Sequence, residues 1–329
     1  MSALAPTLEA FFTERLIGQR QVSPHTVAAY RDTFRLLLAF ISERTGKPPS
    51  RLDIEDLDAT VIGAFLNHLE QDRGNSPRTR NARLAAIHSL FRFAALRHPD
   101  HAELIQRVLA IPSKKHPRRE VTFLHVDEVD ALLAAPDRSS RLGRRDHALL
   151  VLAIQTGLRV SELTRLRGDD LHLDAGPHVR CHGKGRKERI TPLSAQTVDV
   201  LHAWLREHHD GPDAPLFPSR LGGHLSHDAV ERLVAKHSHV AAGTCPTLRS
   251  KTVTPHVLRH TAAMRLLEAG VDSSVIALWL GHESVQTTQT YIHAHLELKE
   301  RALARTAPAT TTPSRYRPPD GLLAFLESL

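Results

Sequence analysis

Thr-Pro-His-Val-Leu-Arg-His-Thr at 254–261, Leu-Gly-His at 280–282 and Tyr291 lie within one short stretch of the chain. Thr254 suits an N-cap and Pro255 the first helical position, so the spacing predicts a helix starting here. His256 and Arg259, three apart, then share a face of its first turns. Free backbone N–H groups and the helix dipole favour an anion at that end. Gly281 is placed to cap a helix over 273–280, leaving His282 on the turn beyond. Tyr291 follows in a segment with helical apolar spacing (Val285, Tyr291, Leu296, Leu298). Taken singly, each residue has an ordinary reading: a Tyr in a core, an Arg on a solvated face, a His pair without a metal. Together they form a set of phosphate-handling groups.

The 329 residues suffice for two domains with sizeable cores, and 41% hydrophobic residues indicate a globular chain. A formal net charge of +7 suggests a polyanionic partner, although many basic proteins bind none. The 23 His are scattered. Two Cys, Cys181 and Cys245, indicate no disulfide framework and fit a reducing cytosol. The first residues show no basic-then-apolar leader, and no apolar run is long enough to span a bilayer. The expectation is a cytoplasmic protein with no membrane partner.

Residues 1–112 read as all helix. Leu8, Phe11, Phe12 and Leu16 have helical spacing, as do Tyr30, Phe34, Leu37, Leu38 and Ile41. A third helix is predicted over 58–69, and a fourth from Ser76 with Leu84, Ile87, Leu90, Phe91 and Ala94 buried. Two helices open with Ser-Pro-x-Thr, at Ser23 and Ser76. This is good capping chemistry; equally, it aims Arg78, Arg80 and Arg83 towards phosphates. The run 111–120 has two prolines and no periodicity, so residues 113–120 read as a basic linker. Lys114 and Lys115 on it are either DNA contacts or ordinary solvated charges.

From Phe123 the periodicity returns. A short helix carries Val126, Val129, Leu132 and Leu133, and a strongly apolar one runs over 146–155, with Gly157 as its cap. Thr-Gly-Leu-Arg-Val-Ser-Glu-Leu (156–163) places Arg159 at a turn, with Ser161 able to open the next helix. Residues 178–193 read as a β-hairpin whose apolar members are Val179, Cys181, Ile190 and Leu193. Gly183 and Gly185 flank Lys184 and permit a tight turn at its tip. The motif lacks the spacing of a nucleotide-triphosphate loop. Arg180, Arg186, Lys187 and Arg189 form a local positive patch. Helices are predicted at 194–209 and 226–239, and 241–250 is poorly patterned.

The octapeptide at 156–163, then His-x-x-Arg-His, Leu-Gly-His and a Tyr at this spacing resemble the tyrosine recombinase (phage integrase) family. The Ser-Pro-x-Thr helices before them are similar to that family's core-binding domain. The resemblance implies a mainly α fold with a small β-hairpin or sheet. It implies two domains: a helical core-binding domain at 1–112, and a mixed, mostly helical catalytic domain at 121–305 beyond the linker. It implies a catalytic set of Arg159, Lys184, His256, Arg259, His282 and Tyr291, supported by Glu162 and His260. Lys184 matches the family's proton donor to the leaving 5′ oxygen, and Tyr291 its nucleophile. Arg78, Arg80, Arg83, Lys114, Lys115, Arg186 and Lys187 are the expected DNA contacts. The implied partner is a double-stranded DNA recombination site, bound by a dimer to tetramer of this chain, with accessory recombination proteins as further candidates. No metal or other cofactor is expected, since two Arg and a Lys supply the charge.

Residues 306–329 read as a Pro/Thr-rich stretch followed by an apolar stripe, Leu322, Leu323, Phe325 and Leu326. Two readings stay open: docking on a neighbouring subunit, as the family implies, or packing on its own domain. For the whole chain, the alternatives are a type IB topoisomerase-like nicking-resealing enzyme and a non-catalytic DNA-binding regulator. A His-rich metal hydrolase is disfavoured, because no HExxH or Cys/His ligand spacing is present.

Overall fold

The structure, a computed structural model, describes residues 4–115, 121–183, 188–207, 211 and 213–281. The chain divides into two compact units, Met1–Arg119 and Glu120–Leu329. Both are built mainly from helices, with one small sheet in the second.

The first unit contains α1 (Leu4–Ala10), α2 (Pro24–Thr45), α3 (Ala59–Gln71), α4 (Pro77–Ala94) and α5 (Ala102–Leu109). α1 runs on into a π-helical stretch, Phe11–Gln19, where an ordinary α-helix was predicted. The reason lies in the side chains. Phe11 and Leu16 are five residues apart and both fully buried, a spacing that π geometry, with its wider turn, brings onto one face. Ser23 and Ser76 cap α2 and α4, accepting from the backbone N–H of Thr26 and Thr79 at 3.3 Å each. The predicted stripe of α4 is buried, and α5 joins the same core through Ile105 and Val108.

The second unit contains α6 (Val126–Ala134), α7 (Arg141–Thr156) and the single turn α8 (Val160–Leu163). An antiparallel sheet in the order β1 (Leu171–His172), β2 (His178–His182), β3 (Glu188–Pro192) follows. Then come α9 (Ala195–Glu207), α10 (His227–Ala241), α11 (Pro255–Glu268) and α12 (Ser273–Leu280). α7 is the central helix. It starts earlier than its apolar run suggests, because Ser140 caps it by accepting from the Gly143 N–H at 3.0 Å. After the exposed Arg141 and the half-buried Arg144, the charges are buried and paired: Arg145 donates to Asp146 at 2.6 Å, and Asp146 meets His237 of α10 at 2.9 Å. Within the poorly patterned run 241–250, Pro246–Ser250 form a 3₁₀ turn.

The hairpin's inward face does not carry all of its apolar members. Val179 pairs with Thr191 and Cys181 with Arg189. Thr191 is fully buried while Ile190 is 62% exposed. Period-2 alternation places Arg189, not Ile190, on the core side beside Cys181. β1, which was not predicted, adds a third strand by pairing Leu171 with Val179.

Candidate active site

Three elements of the second unit converge at the C-terminal end of α12. Local capping sets each one. Thr254 caps α11, accepting from the Val257 N–H at 3.3 Å, with Pro255 in the first turn as expected. Gly157 and Gly281 end α7 and α12 in the left-handed region, at φ 64° and 65°. Arg159, rather than Ser161, precedes α8 as its cap residue, because the Glu162 carboxylate accepts from the Arg159 backbone N–H at 2.7 Å.

Arg259 is buried, at 3% exposure. Its guanidinium donates to the carbonyl of Gly157 at 2.7 Å and to that of Leu280 at 2.8 Å. Arg159 donates to the next carbonyl along, that of Gly281, at 2.8 Å, and its side chain remains 37% exposed. Two guanidiniums are thereby fixed side by side on neighbouring peptide groups. Trp279 locks the same helix end, donating from Nε1 to the Thr156 carbonyl at 3.1 Å. Gly157 is needed for this approach: a Cβ there would lie 2.6 Å from Leu280 Cδ2.

Glu162 is buried beneath the pair. It accepts from Arg159 Nη1 at 3.0 Å and from Arg189 Nη1 and Nη2 at 2.7 Å each. Burial pushes the Glu162 carboxyl up, but its bonds and charge contacts with Arg189 and Arg159 outweigh that and hold it below the usual carboxylate range. Burial likewise works against the Arg189 cation, and Glu162 overcomes it to raise Arg189. The cluster holds one carboxylate among three guanidiniums, so it favours an anion. Cys181, opposite Arg189, is pushed up to about 11 by burial and is no nucleophile at neutral pH. His256 is exposed at the start of α11, and the half-buried His260 packs its ring edge against it at 4.2 Å between centroids.

The structure thus brings together Arg159, Glu162 and Arg259. Lys184, Arg186, Lys187, His282 and Tyr291 lie outside the described residues. Sequence reasoning missed Arg189 and Trp279. Strand alternation opposite Val179 and Cys181 is the signal that could have found Arg189, although Arg is rarely inward-facing.

The expected DNA contacts of the first unit divide. Arg78 and Lys115 are exposed. Arg80 is a correction: it is 6% exposed, turned inward, with its Nε 3.4 Å from Glu70, so it does not project to solvent. Its position on the buried stripe with Leu84 and Ile87 is the reason. Lys114 is also engaged, its Nζ 2.5 Å from Glu70 and its backbone N–H on Asn81 at 3.0 Å. Arg83 is half-buried, with Nε and Nη1 buried and without a hydrogen-bond partner among the described residues. No metal-ligating cluster and no helix long and apolar enough to cross a membrane occur among the described residues.

Known proteins agree with this architecture. The Phage integrase family profile matches residues 122–297, and the profile "Phage integrase, N-terminal SAM-like domain" matches 10–98. "Putative integrase/recombinase y4rC" of Sinorhizobium fredii is 57% identical over 328 residues, covering 100% of this chain and 99% of that protein. "Tyrosine recombinase XerC" of Pelobacter propionicus is 36% identical, covering 92% of this chain and 95% of its own. In fold, the chain is similar to the XerH site-specific recombinase, solved bound to palindromic difH substrate in a post-cleavage complex. The TM-score is 0.70 at 21% identity, over 87% of this chain and 81% of that one. Matches of this extent and identity mean that the chain belongs to the phage integrase family, the tyrosine recombinases, enzymes that break and rejoin DNA strands.

Proposed function

We propose that this chain is a site-specific recombinase that cuts and exchanges DNA strands through Tyr291. The observation that carries this reading is the seating of Arg159 and Arg259 on the adjacent carbonyls of Gly281 and Leu280, immediately before His282. Cleaving a phosphodiester requires neutralised nonbridging oxygens, a nucleophile and an acid for the leaving group. Arg159 and Arg259 offer planar forks to the phosphate, and His282 adds a donor. The Tyr291 oxygen attacks phosphorus while His256 takes the phenol proton. The bond to the 5′ oxygen breaks, and Lys184 protonates that oxygen. Glu162 and His260 support the site. The resulting 3′-phosphotyrosyl bond retains the energy of the original ester. A 5′ hydroxyl from another strand therefore reverses the step, and the reaction needs neither ATP nor a metal.

The assigned parts are a core-binding domain at 1–112, a linker at 113–120, a catalytic domain at 121–305 and a tail at 306–329. The partner is double-stranded DNA carrying a recombination site. XerH is solved on its difH substrate, and lambda integrase as a dimer on a core site. This chain is assigned the same kind of partner, assembled as a dimer to tetramer. Arg78, Arg83, Lys115, Arg186 and Lys187 are the proposed backbone contacts, and the exposure of Arg78 and Lys115 supports those two.

The test is a covalent-adduct assay. The full chain is incubated in EDTA with nicked DNA from the regions flanking its own gene, beside Tyr291→Phe. A denaturation-resistant adduct that requires Tyr291 supports the reading. DNA that is bound without any adduct would sink it.

A further inference from the structure

We propose that Arg189 is a charge-balancing positioning residue: by engaging both oxygens of the Glu162 carboxylate, it leaves the charge of Arg159 available to the scissile phosphate. The inference rests on the cleavage chemistry proposed above. Glu162 is nearly sealed from solvent, with its side chain 3% exposed. A buried carboxylate paired with Arg159 alone would cancel much of the positive charge that the phosphate must find there, because Glu162 itself is shielded from water. The geometry divides the carboxylate unequally. Arg189 meets it with a two-pronged fork, both bonds at 2.7 Å, whereas the Arg159 side chain makes one bond at 3.0 Å. Arg159 Nη2 donates to the Gly281 carbonyl instead.

Arg189 is itself closely fitted. Its side chain is 12% exposed, and a Cβ on Gly281 would lie 3.0 Å from its Nη1 and 3.2 Å from its Cδ. Its Nε is buried and has no hydrogen-bond partner among the described residues, where Glu162 is the polar anchor of this guanidinium. A buried ion pair is a poor way to stabilise a fold, and an apolar residue on the inward face of β3 would serve packing equally well. The pair is better explained by the charge it leaves on Arg159 than by stability.

The experiment is a double-mutant cycle on the rate of adduct formation at saturating nicked DNA, with melting temperature and DNA affinity measured for each variant. Arg189→Gln leaves Glu162 facing Arg159 alone and is expected to slow cleavage by about 10- to 100-fold. Adding Glu162→Gln to that chain removes the unbalanced charge and is expected to recover about tenfold or more. A bracing role alone predicts the opposite, since the double variant has lost still more of the brace. Arg189→Lys keeps the charge without the fork and is expected to stay within about tenfold of wild type even if its melting temperature falls. It serves as the decisive variant should Arg189→Gln not fold. No recovery in the double variant, or a loss with Lys as large as with Gln, overturns the proposal. An absent Tyr291-dependent adduct in the wild type overturns the underlying cleavage reading, and the proposal with it.

Discussion

The guanidinium of Arg259, on α11, donates to the main-chain carbonyl of Gly157 at the end of α7, at 2.7 Å. The same side chain holds the Leu280 carbonyl at 2.8 Å. One residue therefore ties two helix ends together while presenting positive charge beside them. Lysine cannot bridge two carbonyls in this way, because it lacks the planar fork. Arg259→Lys is expected to slow adduct formation by about 100-fold or more. It should also cost about 1–3 kcal/mol of stability, since buried carbonyls lose their donors. Rates on nicked DNA and urea denaturation check the two effects separately. Wild-type cleavage with lysine would show that the fork is dispensable.

Gly157 permits the contact. It combines a φ of 64° with a Cβ position 2.6 Å from Leu280 Cδ2 and 3.0 Å from the Ala262 Cβ. Gly157→Ala therefore meets both backbone strain and a clash, and is expected to destabilise by about 1–3 kcal/mol. α12 would be pushed off α7, so cleavage should fall along with stability. Thermal melting and the adduct rate read this directly. An unchanged melting temperature would mean that α12 does not pack as described.

Three buried carboxylates make the second unit acid-sensitive. At Glu128, Asp146 and Glu162, burial pushes the carboxyl up, but hydrogen bonds and nearby cations outweigh it and hold each below its ordinary value. Each therefore contributes stability that is present above its unfolded value and lost as pH falls through the folded one. Unfolding free energy should be flat near neutrality. It should then fall below the ordinary glutamate value of 4.5, with a slope of up to about 1.4 kcal/mol per pH unit for each group. Both tryptophans, Trp204 and Trp279, belong to this unit, so their fluorescence in urea reports on it selectively. Glu128→Gln, which weakens the contact with Lys251 at 2.6 Å, should make the acid slope shallower. An unaltered slope would remove Glu128 from this account.

Arg78 and Arg80 stand two residues apart on α4 but should behave as opposites. Arg80→Met is expected to cost about 1–3 kcal/mol, because it strips a partner from Glu70 in a buried setting. Arg78→Ala should leave stability unchanged while weakening DNA binding and lowering the salt slope by about one. Melting curves and salt-dependent DNA titrations separate the two. A salt-slope change confined to Arg80→Met would reverse the assignment.

The short-range features of the site were legible because local interactions set them. Thr254 and Pro255 open α11 and Gly281 ends α12, since capping depends on residues a few positions apart. The Ser-Pro-x-Thr starts and the buried stripe of α4 follow from the same local rules. Failures came where a polar residue faces inward. Arg80 was aimed with Arg78 and Arg83 towards phosphates, yet it is buried, and Glu70, on the preceding helix, makes its burial tolerable. On β3 the apolar member Ile190 faces outward, because the pairing with Val179 and Cys181 puts Thr191 and Arg189 on the inner face.

By itself, the sequence determined the helical class, the caps, and the residue types able to handle a phosphate, because these rest on composition and spacing within a turn or two. Only the tertiary structure decided which charges meet. Arg159 reaches a carbonyl 122 positions away, Arg259 one 102 positions away, and Glu162 is met by a guanidinium from a strand 27 positions on. Such pairings depend on how α7, α11, α12 and β3 pack. A buried charge becomes acceptable only once that packing has brought its partner within reach.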